Sequence, residues 1–152
     1  MIVPVNETNI LQAAQIHSVS WQDSHRSFCS PDFVALHTPE HQREYLRGKL
    51  NEGSAVYLLI KERPVGVVSV TGSLIEDLYI LPDAQNQGYG TELLQFAISQ
   101  CPDAPTLWIL ENNEGAARLY RRMGFKETGK MNAITNKLAE IEFSLERGRG
   151  DR

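Results

Sequence analysis

Cysteine is scarce. The 152-residue chain has two, Cys29 and Cys101, far apart and outside any metal-ligand spacing. Two thiols do not make a disulfide-stapled secreted scaffold, so each reads as a buried or inert thiol in a reducing, cytoplasmic setting. No apolar run approaches the roughly 20 residues of a membrane-spanning helix. The start, Met1 to Glu7, has neither the basic region nor the apolar stretch of a signal peptide, so no membrane partner is expected. Excess positive charge is absent too. Lys plus Arg total 15 against 19 Asp plus Glu, a net charge of -4, which argues against a nucleic-acid partner. The four histidines, His17, His25, His37 and His41, all lie near the N-terminus. His37 and His41 stand four apart, but Thr38-Pro39 begins a helix between them, and no thiol or carboxylate cluster completes a ligand set. No metal is expected, and a solvent-facing or substrate-facing role suits these histidines better. There is no G-x-S-x-G elbow and no Gly-Lys-Ser/Thr phosphate loop, and a dinucleotide fingerprint fails because Leu93 stands at its third glycine.

What is present describes one globular domain over residues 1–152. Hydrophobic residues make up 41% and charged residues 22%, ordinary for a folded protein of this length. Ile2 to Val5 is a short β-prone start. Asn9, with Gln12 three positions on, reads as a helix cap, after which Ile10, Ala13, Ala14 and His17 share a face. Ser30-Pro31-Asp32 and Thr38-Pro39-Glu40 repeat a start signal of capping hydroxyl, Pro and acid, and Gly53 ends the second helix. Ser54 to Ile60, Val65 to Thr71 and Leu74 to Leu81 are β-rich runs broken by turn residues, which predicts a three-stranded meander. Then helix and strand alternate: a helix over 91–99, a strand over 106–110, a helix over 114–123 capped by Gly124, and final strands from Phe125 and over 139–145. The tail over 146–152 is polar and should fray; its Arg149-Gly150-Asp151 reads as a chance tripeptide.

The most informative stretch is Leu78-Tyr79-Ile80-Leu81-Pro82-Asp83-Ala84-Gln85-Asn86-Gln87-Gly88-Tyr89-Gly90-Thr91. A strand stops at a proline, a polar loop follows, and two glycines open a helix. Such a turn aims backbone N–H groups at one point, and the helix start adds about half a unit of positive charge. Two glycines alone fit an ordinary strand-to-helix turn better than an anion cradle.

In this setting Gln85-x-x-Gly88-x-Gly90 resembles the Q/R-x-x-G-x-G/A motif of the GNAT superfamily of N-acetyltransferases. Asn113-x-x-Ala116-x-x-Leu119-Tyr120-x-x-x-Gly124-Phe125 is similar to that superfamily's second segment. The resemblance is specific from about Leu74 to Phe125. It implies an α/β (α+β) domain with a mixed sheet of six or seven strands, helices on both faces, and two parallel strands splayed around acetyl-CoA. It implies an enzyme moving an acetyl group to a primary amine of a small molecule or peptide through a ternary complex. A non-catalytic acyl-CoA sensor is the alternative. A homodimer is compatible, since members often pair.

Residue by residue, the resemblance implies that the pantetheine arm bonds to the strand edge at Leu78, Tyr79 and Ile80. The pyrophosphate would sit on the N–H groups of Gln87, Gly88, Tyr89, Gly90 and Thr91, with Gln85 at the motif's first position. Asn113 would touch the pantetheine or cap its helix, and Ala116 would leave room for the arm. Tyr120 would be the general acid for the departing thiolate; its plainer role is a core residue. Glu76, on the strand parity of Leu78 and Ile80 with Asp77 opposite, would deprotonate the amine, directly or through water, or else be a solvated strand carboxylate. A bulge would exchange Glu76 and Asp77. Trp21, His25, Arg26 and Phe28 fall, with Tyr45, in the segment that lines the acceptor cleft in this family, Arg26 being suited to a substrate carboxylate.

Overall fold

The computed structural model describes residues 1–136 and 138–146. Their elements run β1 (Ile2–Pro4), α1 (Ile10–His25), α2 (Pro31–Ala35), α3 (Pro39–Asn51), β2 (Ala55–Ile60), β3 (Pro64–Thr71), β4 (Leu74–Ile80), α4 (Tyr89–Ser99), β5 (Thr106–Leu110), α5 (Glu114–Arg122), β6 (Lys126–Thr135) and β7 (Leu138–Ser144), with a 3₁₀ turn at Pro82–Ala84 between β4 and α4. The end of the tail, with Arg149-Gly150-Asp151, lies outside the described residues. None of the described helices is long and apolar enough to cross a membrane.

The local signals place most boundaries. The Ser30 and Thr38 hydroxyls accept from the N–H groups of Phe33 and His41, and a proline follows each cap. Gly53 and Gly124, at φ +97° each, close α3 and α5 in the left-handed region that glycine enters at no steric cost. Asn9 does not cap α1 through its side chain. Its Oδ1 accepts from the Asn6 N–H and its Nδ2 donates to the Pro4 carbonyl, so it ties the β1–α1 connection instead. Helix α4 begins at Tyr89, two residues before the expected start, because Gly88 at φ +83° turns the chain into it.

One seven-stranded sheet carries the fold, in the order β1-β2-β3-β4-β5-β7-β6. Every pairing is antiparallel except β4 with β5. Each face has its own apolar layer. Leu93, Leu94, Leu107, Ala117, Phe125 and Phe143 fill the face under α4 and α5. Ile10, Ala13, Ala14, Leu46, Val56 and Val67 fill the face under α1 and α3. Each large side chain so buried stabilises the fold by about 1.5–3 kcal/mol.

Strand β4 is irregular where it matters. Val67 pairs with Tyr79, but Ser69 pairs with Glu76, so Val68 stands against both Asp77 and Leu78. Asp77 absorbs the extra residue at φ +56°, a conformation Asp tolerates better than most. This bulge corrects the regular-strand expectation. Ile75, Leu78 and Ile80 face α4 and α5, while Tyr79 faces α1 and α3. Glu76 is not on the side of Leu78 and Ile80: it reaches α3 and Asp77 reaches α1 and α3, as successive residues on one face.

Candidate active site

Strands β4 and β5 pair only at Leu74 with Thr106 and Ile75 with Leu107. Beyond these residues they diverge, and a cavity of about 830 Å³ opens between them. Leu78, Tyr79 and Ile80 line it from one strand, and Leu107 to Leu110 from the other.

One end of the cavity is built for an anion. Gly88, Tyr89, Gly90 and Thr91 line it, and Gly88 is the N-cap of the 11-residue α4, so the first N–H groups of that helix face the gap without a side-chain cap. The two glycines serve different ends. Gly88 supplies the positive φ. A Cβ at Gly90 would lie 3.6 Å from Leu119 and 3.8 Å from Ile80, so that position sets how closely a group approaches the helix start. Arg118 and Arg122 line the cavity too, and Arg122 donates to the Thr91 hydroxyl at 3.4 Å. Gln85 holds the loop to the strand by donating to the Ile80 carbonyl at 3.2 Å. Asn113 caps α5 by accepting from the Ala116 N–H at 3.1 Å, and both residues line the cavity. Gln87 does not line it; Asn86, at φ +65°, does.

Tyr120 lines the gap from α5 and is also part of the apolar layer under α4 and α5. Its ring packs on Phe125 and Phe143, and burial pushes its phenol up to about 12. A phenol in that range stays protonated and is poised to donate.

The cavity also carries carboxylates: Glu76, Asp77, Asp23 and Glu140 line it from β4, α1 and β7. Asp77 is the most enclosed of the pair on β4. Tyr45 donates to its Oδ2 at 2.9 Å, and His17 Nε2 lies 3.5 Å from its Oδ1, long for a hydrogen bond and short for an electrostatic contact. Ser69 stands 3.4 Å and Lys49 3.7 Å from Oδ2. Burial alone would raise the Asp77 carboxyl, but His17, Lys49 and Tyr45 outweigh it and hold it below its ordinary value. Burial and the Asp77 charge push the Tyr45 phenol far up, so it remains a donor. Gln42 fixes the imidazole. With its Oε1 accepting from His41 Nδ1 at 2.8 Å, its amide donates to His17 Nδ1, which leaves the His17 proton on Nε2, facing Asp77. Glu76 pairs with Lys49 at 2.8 Å, and its side chain is 38% exposed against 16% for Asp77.

Of the residues read as acceptor-lining, His25 lines this cavity. Trp21 lies flat between His25 and His37, with ring centroids 3.8 and 3.4 Å away. Phe28 packs against His25, and Arg26 lines a separate small cavity beside Val34 while standing 4.0 Å from Asp23. His17 is 2% exposed, so it faces neither solvent nor the open cleft. The cluster of His17, Tyr45 and Lys49 around Asp77 escaped the sequence reading. Its one trace there is a histidine on an otherwise apolar helix face. Among the described residues no group of three or more His, Cys, Asp or Glu is placed to hold a metal ion.

Comparisons with known proteins agree with this geometry. Residues 52–127 match the acetyltransferase (GNAT) domain family. The peptidyl-lysine N-acetyltransferase YjaB of Escherichia coli strain K12 is 32% identical over 101 residues, which span 65% of this chain and 67% of that protein. The solution structure of apo-form YjaB from Escherichia coli has a similar fold, with a TM-score of 0.67 at 22% identity over 95% of each chain. So does the N-acetyltransferase PaiA from Thermoplasma acidophilum in complex with coenzyme A, with a TM-score of 0.68 at 15% identity over 93% of this chain and 96% of that one.

Proposed function

Since this chain belongs to the GNAT family and is an acetyl-CoA-dependent N-acetyltransferase, we propose that its acceptor is a cationic amine, with the lysine side chain of a peptide as the leading case, and that it meets the acetyl donor in the β4–β5 gap. The observation that carries this reading is that one cavity is lined both by the uncapped start of α4 with Arg118 and Arg122 and by carboxylates from three elements. The relative that acts on peptidyl-lysine supports the choice of lysine.

The residues fit acetyl-CoA. Gly88 to Thr91 offer backbone donors to a pyrophosphate, and Arg118 and Arg122 offer charge to phosphate. Beyond Ile75 the β5-facing edge of β4 has no ladder partner, so the backbone of Leu78 to Ile80 can bond to a pantetheine amide. Acetyl-CoA supplies an acyl group activated as a thioester. An alkylamine has a pKa near 10 and must lose a proton before it attacks. Glu76 takes it, a role supported by its carboxylate being the more open of the pair. Asp77 already serves four neighbours and acts by holding negative charge beside the amine. Tyr120, which lines the same cavity with its phenol protonated, gives its proton to the departing thiolate. A cytoplasmic setting fits a chain with two cysteines far apart in sequence.

The test is acetylation of a lysine peptide, read as free thiol release and by mass, beside calorimetric titration with CoA and with NAD. Binding of CoA, none of NAD, and a gain of one acetyl group on the lysine are expected. Peptide left unmodified in the presence of bound acetyl-CoA refutes the acceptor assignment.

A further inference from the structure

Helix α1 buries His17 beside Ile10, Ala13 and Ala14, where an apolar side chain would pack without a polar group to satisfy. The His17 Nε2 is buried and makes no hydrogen bond among the described residues; it stands 3.5 Å from Asp77 Oδ1. A buried donor so loosely paired is costly, and packing gives no reason for it. The ring is nevertheless held in place. Gln42, whose Oε1 accepts from His41 Nδ1, gives its amide to His17 Nδ1. The rings of Tyr45 and Tyr79 pack on the imidazole, with centroids 5.5 and 4.9 Å away.

The groups around Asp77 are His17 from α1, Tyr45 and Lys49 from α3, Ser69 from β3, and Glu76 as the preceding carboxylate on β4. Tyr45, Ser69 and Lys49 stand at Oδ2, at 2.9, 3.4 and 3.7 Å, and the group at Oδ1 is His17. The imidazole therefore fixes the second oxygen, and with it the plane of the carboxylate. Asp77 carries the φ of +56° that forms the β4 bulge, between Glu76 and the edge at Leu78 to Ile80. A group that sets Asp77 acts on the site from behind, and neither His17 nor Gln42 lines the cavity.

We propose that His17 and Gln42 are positioning residues for acetyl transfer: Gln42 fixes the form of His17 that carries its proton on Nε2, and that N–H holds Asp77 Oδ1, so that the carboxylate stays beside the reacting amine while Glu76 takes the proton. This rests on the reading of Glu76 and Asp77 as the groups that meet the amine. A donor role and a packing role for His17 make opposite demands on its replacement. Glutamine can bring an amide N–H close to the Nε2 position, whereas leucine suits the apolar layer and offers no donor.

The experiment compares His17→Gln and His17→Leu with the wild type, using a lysine peptide and saturating acetyl-CoA; His17→Phe is the second apolar variant should leucine not fold. At about pH 7, kcat/KM for the peptide is expected to fall about tenfold or more in His17→Leu and less than about threefold in His17→Gln, with acetyl-CoA affinity unchanged in both. Without the N–H, burial weighs more at Asp77 and its carboxyl titrates higher, so the His17→Leu deficit should widen as pH falls towards about 5. Carbon-13 titration of the Asp77 carboxyl reads the hold without turnover: its midpoint should rise in His17→Leu and stay low in His17→Gln. Nitrogen-15 spectra should show wild-type His17 protonated at Nε2 and bare at Nδ1, and Gln42→Glu, which offers Nδ1 an acceptor, should put a proton there. A leucine or phenylalanine variant as active as His17→Gln, an Asp77 midpoint that does not move, or a wild-type His17 protonated at Nδ1 overturns the proposal. If the wild type leaves the peptide unmodified, the acceptor reading fails, and the two sets of spectra decide the hold on Asp77 by themselves.

Discussion

Asp77→Asn isolates the charge at the centre of the β4 bulge. Asparagine tolerates the left-handed backbone at φ +56° and keeps one oxygen for the Tyr45 hydroxyl, so the backbone and the 2.9 Å contact should survive. What is lost is the negative charge facing His17 at 3.5 Å and Lys49 at 3.7 Å, and with the oxygen kept on the Tyr45 side the new amide N–H groups face the His17 Nε2 donor. Hydrogen bonds to a charged group contribute about 1.5–3 kcal/mol each, against about 1 for neutral ones. Lys49 keeps Glu76 at 2.8 Å, so no cation is stranded and the 3–5 kcal/mol typical of an orphaned buried pair is not reached. The expected loss at pH 7 is about 2 kcal/mol, or roughly 4–8 °C in Tm for a domain of this size. The pH dependence is the sharper check. A carboxyl held below its ordinary value stabilises the fold fully above its unfolded value near 3.9, and that contribution fades as pH falls through the lower folded value. Urea unfolding of both proteins should therefore show a constant gap from pH 7 to about pH 5, narrowing below about pH 4. A gap of the same size throughout the acid range, or none at neutral pH, would show that His17, Lys49 and Tyr45 do not depend on the Asp77 charge.

Three further outcomes are expected. Glu76→Gln should lower kcat by about 100-fold if the carboxylate takes the proton directly, with the deficit greatest at acid pH where little free amine exists; an unaltered pH–rate profile would leave water as the relay. Tyr120→Phe keeps the ring between Phe125 and Phe143 and should lower kcat by about 10- to 100-fold with acetyl-CoA affinity nearly unchanged; wild-type kcat would remove the phenol from the chemistry. At Gly90 a methyl makes ordinary contacts at 3.6 and 3.8 Å, so Gly90→Ala should fold and bind almost as wild type, whereas the branched Gly90→Val should raise KM for acetyl-CoA about tenfold or more. Equal affinity in a folded Gly90→Val would refute the anion cradle.

The sequence by itself determined the features whose causes are local. A hydroxyl before a proline starts α2 and α3, glycine ends α3 and α5, and the alternating runs of the middle third form a meander. The cofactor loop belongs here too, because Gly88 needs a positive φ and Asn113 a cap, and both answer to neighbours within a few residues. Tertiary structure decided the acceptor end. Whether Glu76 and Asp77 share a face depends on a one-residue slip between β3 and β4, set by which side chains β3 packs on each layer and invisible in the spacing of β4 alone. His17, Tyr45 and Lys49 meet Asp77 from 60, 32 and 28 positions away in the chain, and no local periodicity encodes such a convergence. For the same reason Trp21 and Arg26, adjacent in sequence to residues that line the cavity, turn away from it. The helix places neighbouring residues on different sides, and packing of α1 against α2 and α3 selects which side the cavity sees.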